Sequence, residues 1–82
     1  MTHLIRVLDL DPGRLMILES RVKKAVRQSG IKARISMVSD NLAITRQGLL
    51  DSVPVLEING SIVSRATPLL PDDLLALFKA LA

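Results

Sequence analysis

Asp51-Ser52-Val53-Pro54-Val55-Leu56-Glu57-Ile58-Asn59-Gly60 decides how the rest of the chain is read. From Pro54 the side chains alternate until Asn59-Gly60, the dipeptide favoured where two strands are joined by a tight type I′ turn. Proline has no N–H for a sheet ladder, so Pro54 suits the entry of a strand and not its centre. The segment predicts a strand over 55–58, paired through Asn59-Gly60 with another over 61–65.

Working upstream, Ile31 to Val38 also alternates, with Ile31, Ala33, Ile35 and Met37 opposing Lys32, Arg34, Ser36 and Val38. That pattern predicts a strand with one wetter face. Between the two strand regions, Ser39 or Asp40 can cap a short helix carrying Leu42, Ala43 and Ile44 and finished by Gly48. Leu49 and Leu50 are expected to tuck the returning loop under the sheet. Further upstream the spacing is helical: Leu15, Leu18, Val22, Ala25, Val26 and Ser29 share one stripe. Asp11 before Pro12 is placed to cap this helix, and Gly30 to end it. Leu4 to Leu10 reads as a first strand, with Ile5, Val7 and Asp9 on one face. Downstream, Pro71-Asp72-Asp73 starts a last helix, whose acidic residues suit its positive pole. Leu74, Leu75, Leu77, Phe78 and Leu81 give it a broad apolar face.

The order is strand, helix, strand, helix, strand, strand, helix. This is an α/β chain, with a four-stranded mixed sheet and helices on both faces. Strands joined through helices are expected to lie parallel by right-handed crossovers, and the hairpin to add an antiparallel edge. A ferredoxin-like sandwich is the rival, and it would need a strand in place of the second helix. The 82 residues make one domain, 1–82, and 49% hydrophobic residues are enough to close a small core.

Composition removes several functions. Cysteine is absent, which excludes disulfides, thiolate metal sites and thiol redox chemistry. Phe78 is the one aromatic residue, so a stacking platform for single-stranded nucleic acid is not expected. The net charge of +3 permits an acidic partner without demanding nucleic acid or membrane. No apolar run approaches the roughly 20 residues needed to span a bilayer. The start, Met1 to Arg6, lacks a basic region and meets Asp9 and Asp11 too early for a signal peptide. A cytoplasmic address, with which the absence of cysteine is compatible, is expected. His3 has no second histidine with which to hold a metal, and no metal or cofactor is expected.

In this order and spacing the chain resembles the minimal thioredoxin/glutaredoxin family, with the fold βαβαββα. Its anchors are Ile5-Arg6-Val7-Leu8, Gly30-Ile31-Lys32-Ala33, Val38-Ser39-Asp40, Gly48-Leu49, Ser52-Val53-Pro54 and Ile58-Asn59-Gly60. Ser52-Val53-Pro54 looks like the Thr-Val-Pro of glutaredoxins, although one residue is added between Gly48 and Pro54. The resemblance implies a cis proline at Pro54. It also implies that Val53 offers its backbone N–H and C=O to an extended peptide. The family's CxxC falls on Pro12-Gly13-Arg14-Leu15, so Pro12 and Leu15 stand where the cysteines would be. Neither forms a thiolate, and the family's redox activity is not carried over.

What remains is a binding or scaffold role, with a protein partner or a second copy of the chain. Met16 and Ile17 lie off the Leu18/Val22 stripe and, with Leu15, Val53 and Pro54, form a candidate partner patch. The plainer reading is scattered surface apolar residues, which are normal. Arg14, Arg21, Lys24 and Arg27 are read as a basic face of the first helix, continuing toward Lys32 and Arg34. A solvated polar face explains them at least as well as a nucleic-acid groove. Pro12-Gly13-Arg14 at a helix N-terminus offers a weaker anion site. Asp9 has no nucleophile to serve, and Asp72 and Asp73 are helix-start charges before they are an acid/base pair. The alternatives kept open are a small basic nucleic-acid-associated protein and an enzyme with a non-thiol mechanism.

Overall fold

In the computed structural model, which describes residues 1–82, alternation in β1 (His3–Leu8) sends Ile5 and Val7 to one side of a sheet and Leu8 to the other. The other elements are α1 (Pro12–Ser29), β2 (Ala33–Val38), α2 (Asn41–Arg46), a 3-10 turn over Leu50–Ser52, β3 (Val55–Ile58), β4 (Ser61–Arg65) and α3 (Pro71–Lys79). The sheet has the order β2-β1-β3-β4. This is the thioredoxin-like βαβαββα topology, and the helix at 41–46 excludes the ferredoxin-like alternative.

Local chemistry sets the boundaries. Asp11 caps α1 by accepting from the Gly13 and Arg14 N–H groups at 3.0 and 3.2 Å, with Pro12 as the first helical residue. Gly30 ends α1 at φ 79°, and its N–H donates to the Val26 carbonyl. Of the two possible caps of α2, Asp40 is used. Asn59 and Gly60 have φ of 52° and 85°, the positive values that a type I′ turn requires. Asn59 also ties the turn to β1, donating its N–H to the Leu4 carbonyl and accepting the Leu4 N–H on Oδ1. β1 stops at Leu8, short of the expected Leu10, because Asp9 turns inward to meet the start of α1.

One expectation about strand direction is corrected. β1 and β2 are parallel, but β3 runs antiparallel to β1 and hence to β2. Leu8 is opposite both Val38, the end of β2, and Val55, the start of β3. The chain therefore enters β3 at the end of the sheet where it left β2. The cause is the length of α2. Its six residues span about 9 Å, whereas a six-residue strand spans about 20 Å, so α2 cannot carry the chain back for a parallel crossover.

Two cores result, one on each face. The larger joins Ile5, Val7, Leu56 and Ile58 of the sheet to Leu15, Leu18, Val22 and Ala25 of α1 and to Leu74 and Phe78 of α3. The smaller is Leu8, Val55, Ile44 and Leu49, closed by α2 and the following loop; Leu50 stays exposed instead of tucking in. Beyond α2 that face carries Arg6, whose guanidinium meets the buried Glu57 carboxylate of β3 at 3.2 Å. No helix is long and apolar enough to cross a membrane.

Candidate functional site

The start of α1 is built around a carboxylate. Asp9 is wholly buried and accepts from Arg14 through both Nε and Nη2, the latter at 2.6 Å, and from the Asp11 N–H at 3.3 Å. Burial alone pushes the Asp9 pKa up. The hydrogen bonds and charge of Arg14, with the Asp11 and Leu10 N–H groups, outweigh it and hold the carboxyl below its ordinary value. The same contact raises Arg14. Arg14 is thus clamped in place across the tip of α1, and much of its charge is answered from beneath.

Opposite this tip lies the Ser52–Val55 loop. The Val53–Pro54 peptide bond is cis. Pro54 is buried and Val53 half-buried. The chain after β4 closes over them: the Ala66 N–H donates to the Ser52 carbonyl at 2.7 Å and to the Pro54 carbonyl at 3.0 Å. Between this loop and α1 runs a groove of about 380 Å³, lined by Arg14, Ile17, Arg21, Val53, Pro54 and Pro68, with Leu18, Ala66 and Leu69 behind them. The C=O of Val53 has no hydrogen-bond partner within the protein, and its N–H, which faces the Leu50 carbonyl across the 3-10 turn, makes no hydrogen bond of ordinary geometry with it. Arg21 is held on the groove wall by donating from Nη1 to the Leu69 carbonyl at 3.2 Å.

The structure divides the residues that the sequence grouped as one patch. Ile17 (54% exposed), Val53 and Pro54 come together in the groove. Leu15 does not join them, since it is only 9% exposed and belongs to the larger core. Met16 is 73% exposed but lines a separate hollow of about 140 Å³ with Pro12, Leu15 and Met37. Successive helical residues diverge by about 100°, so Met16 and Ile17 cannot share one flat contact.

The basic face divides as well. Arg14 is paired with Asp9, Arg21 and Lys24 line the α3 side of α1, and Arg27 lies on another side near Lys23. Pro12 is exposed at the first turn, and Leu15 faces the core, so neither CxxC position offers a reactive group to the groove.

Sequence reading missed Ala66, Pro68 and Leu69. Their signal was the apolar pair Leu69-Leu70 between Pro68 and Pro71, a loop whose apolar side chains need a surface to cover. No family model, curated protein or solved structure matches this chain. The fold rests on topology alone. A thioredoxin-like fold with a cysteine-free helix start is therefore what the structure supplies, and a fold alone does not specify a function. No three His, Cys, Asp or Glu side chains lie together as a metal site would need.

Proposed function

We propose that this chain is a redox-inactive, thioredoxin-like binding module that holds an extended segment of a protein partner in the groove between α1 and the Val53–Pro54 loop. The backbone of Val53 carries this reading. Backbone N–H and C=O groups removed from water are almost always paired. A half-buried residue with neither group in a hydrogen bond of ordinary geometry, on the wall of a groove, presents one rung of a ladder to an incoming strand. Ile17 and Pro68 supply apolar contact for alternate side chains of that strand. A second copy of the chain offering an extended edge is one form the partner can take. No catalytic role is proposed, because Pro12 and Leu15 carry no nucleophile.

The test begins with linear peptides selected from a random display library against the full chain. Amide shifts caused by the selected peptides should centre on Val53 and Ala66. Ile17→Asp, which puts a charge into the groove, should weaken binding by about tenfold or more. Met16→Asp, outside the groove, should leave it unchanged. Peptides that bind Ile17→Asp as well as wild type would place the interface elsewhere. In parallel, adding the chain to an insulin-disulfide reduction assay should leave the rate at background.

A further inference from the structure

The groove is cationic. Its lining contains two arginines and no carboxylate. Asp9 lies against Arg14 and offsets its charge, so Arg14 shapes the groove more than it charges it. Arg21 differs. It gives one N–H to the Leu69 carbonyl, and no carboxylate forms an ion pair with it. A guanidinium has five N–H donors in a planar fork, and most of those on Arg21 are uncommitted.

Arg21 also lines a second groove of about 240 Å³, with Ser20, Lys24, Gln28 and Pro71. That lining has no carboxylate either, and Lys24 is exposed and without an ion-pair partner. Asp72 and Asp73, next to Pro71 in sequence, are exposed and pair with neither cation. The two grooves share Arg21, so a cationic track continues from the Val53 loop along α1.

We infer that the ligand of this groove is an acidic extended peptide, its carboxylate held by Arg21 and Lys24 while its backbone pairs with Val53. This deepens the binding reading above and rests on it. The spacing suits an extended chain: Ile17 to Arg21 is about 6 Å along α1 and Ile17 to Lys24 about 10 Å, or roughly two to three residues of strand. An apolar side chain over Ile17 thus puts an acidic one, two or three positions away, beside Arg21 or Lys24. A planar carboxylate matches the guanidinium fork, which gives directional recognition as well as charge. Nucleic acid would bring the same sign of charge. It offers no alternating N–H and C=O to Val53, however, and Phe78, the one Phe, Tyr or Trp side chain, is buried and cannot stack on bases.

Sequencing the peptides selected on the full chain tests this directly. Binders should be enriched in Asp or Glu two or three positions from an apolar residue, and their affinity should fall with added salt. Arg21→Glu should weaken them by about tenfold or more, and a fresh selection on that variant should turn toward Lys and Arg. Lys24→Glu, at an exposed position, repeats the test where the fold is not at stake. Binders that need Ile17 but show no acidic enrichment would overturn the acidic ligand class and leave the groove standing. A selection with no Ile17-dependent binder would overturn both readings. Arg21-dependent binding of single-stranded RNA, measured in the same buffers with no acidic peptide selected, would replace the peptide by nucleic acid and also overturn the inference.

Discussion

Asp9 and Arg14 show how one ion pair can fix the geometry of a binding surface. The carboxylate is wholly buried, and its partner reaches it from a side chain that is about half exposed. Removing Arg14 would leave a buried charge with little beyond the Asp11 and Leu10 N–H groups to offset burial. We expect Arg14→Ala to lower the unfolding midpoint and to move the Asp9 carboxyl titration, followed by NMR, above the ordinary aspartate value of about 3.9. In the wild type that titration should lie below it. Because the folded-state pKa is depressed, the stabilising contribution of Asp9 is complete above the unfolded value and is lost as pH falls through the folded one. An unchanged Asp9 titration in Arg14→Ala would show that Arg14 does not hold the carboxylate. Little of this was legible in the sequence. Asp9 sits where a strand alternates, and nothing in a period of two announces that it turns back to a side chain five positions ahead across a helix cap.

At the scale of elements, the joints were legible and one direction was not. Asp11-Pro12, Asp40, Gly30 and Asn59-Gly60 mark boundaries because each satisfies or permits its backbone geometry by itself. Gly30 makes the point quantitatively. Its φ is 79°, and a Cβ there would meet nothing within 4 Å, so any cost of a side chain comes from backbone strain and not from crowding. Gly30→Ala should therefore cost about 1–2 kcal/mol in chemical denaturation, with α1 and β2 otherwise intact. Gly30→Asn should cost less, since asparagine tolerates this region better. Equal stability of Gly30→Ala and wild type would argue against the left-handed cap. The direction of β3 escaped because it depends on the reach of α2 relative to β2, a comparison between elements that no local pattern encodes. The three neighbours Leu15, Met16 and Ile17 part for a similar reason: Leu15 packs into the larger core and edges the hollow that Met16 lines, while Ile17 lines the groove.

On the scale of the whole molecule, the groove lies between two cores that meet only through the sheet. Its α1 wall and the Leu69 loop are anchored in the larger one, to which Leu18 and Leu69 belong. Val53 packs instead against the smaller one, built on Leu8, Ile44, Leu49 and Val55. A four-residue cluster closed by a six-residue helix should open more readily than a core that clamps α1 to α3. Ile44→Ala, which empties the centre of the small core, should cost about 2–5 kcal/mol against about 3–5 kcal/mol for Phe78→Ala in the large one. The distribution of that loss is the sharper expectation. In hydrogen exchange, Ile44→Ala should speed the amides of α2 and the Leu50–Ser52 turn while those in the middle of α1 keep most of their protection. Peptide binding should weaken with it, although Ile44 does not line the groove, because Val53 loses its support. Phe78→Ala should instead lower protection across α1, α3 and the sheet together. If Ile44→Ala accelerates exchange in α1 as much as in α2, the molecule opens as one unit. The Val53 wall would then have no independent freedom, and any loss of binding in that variant would have to be ascribed to global unfolding.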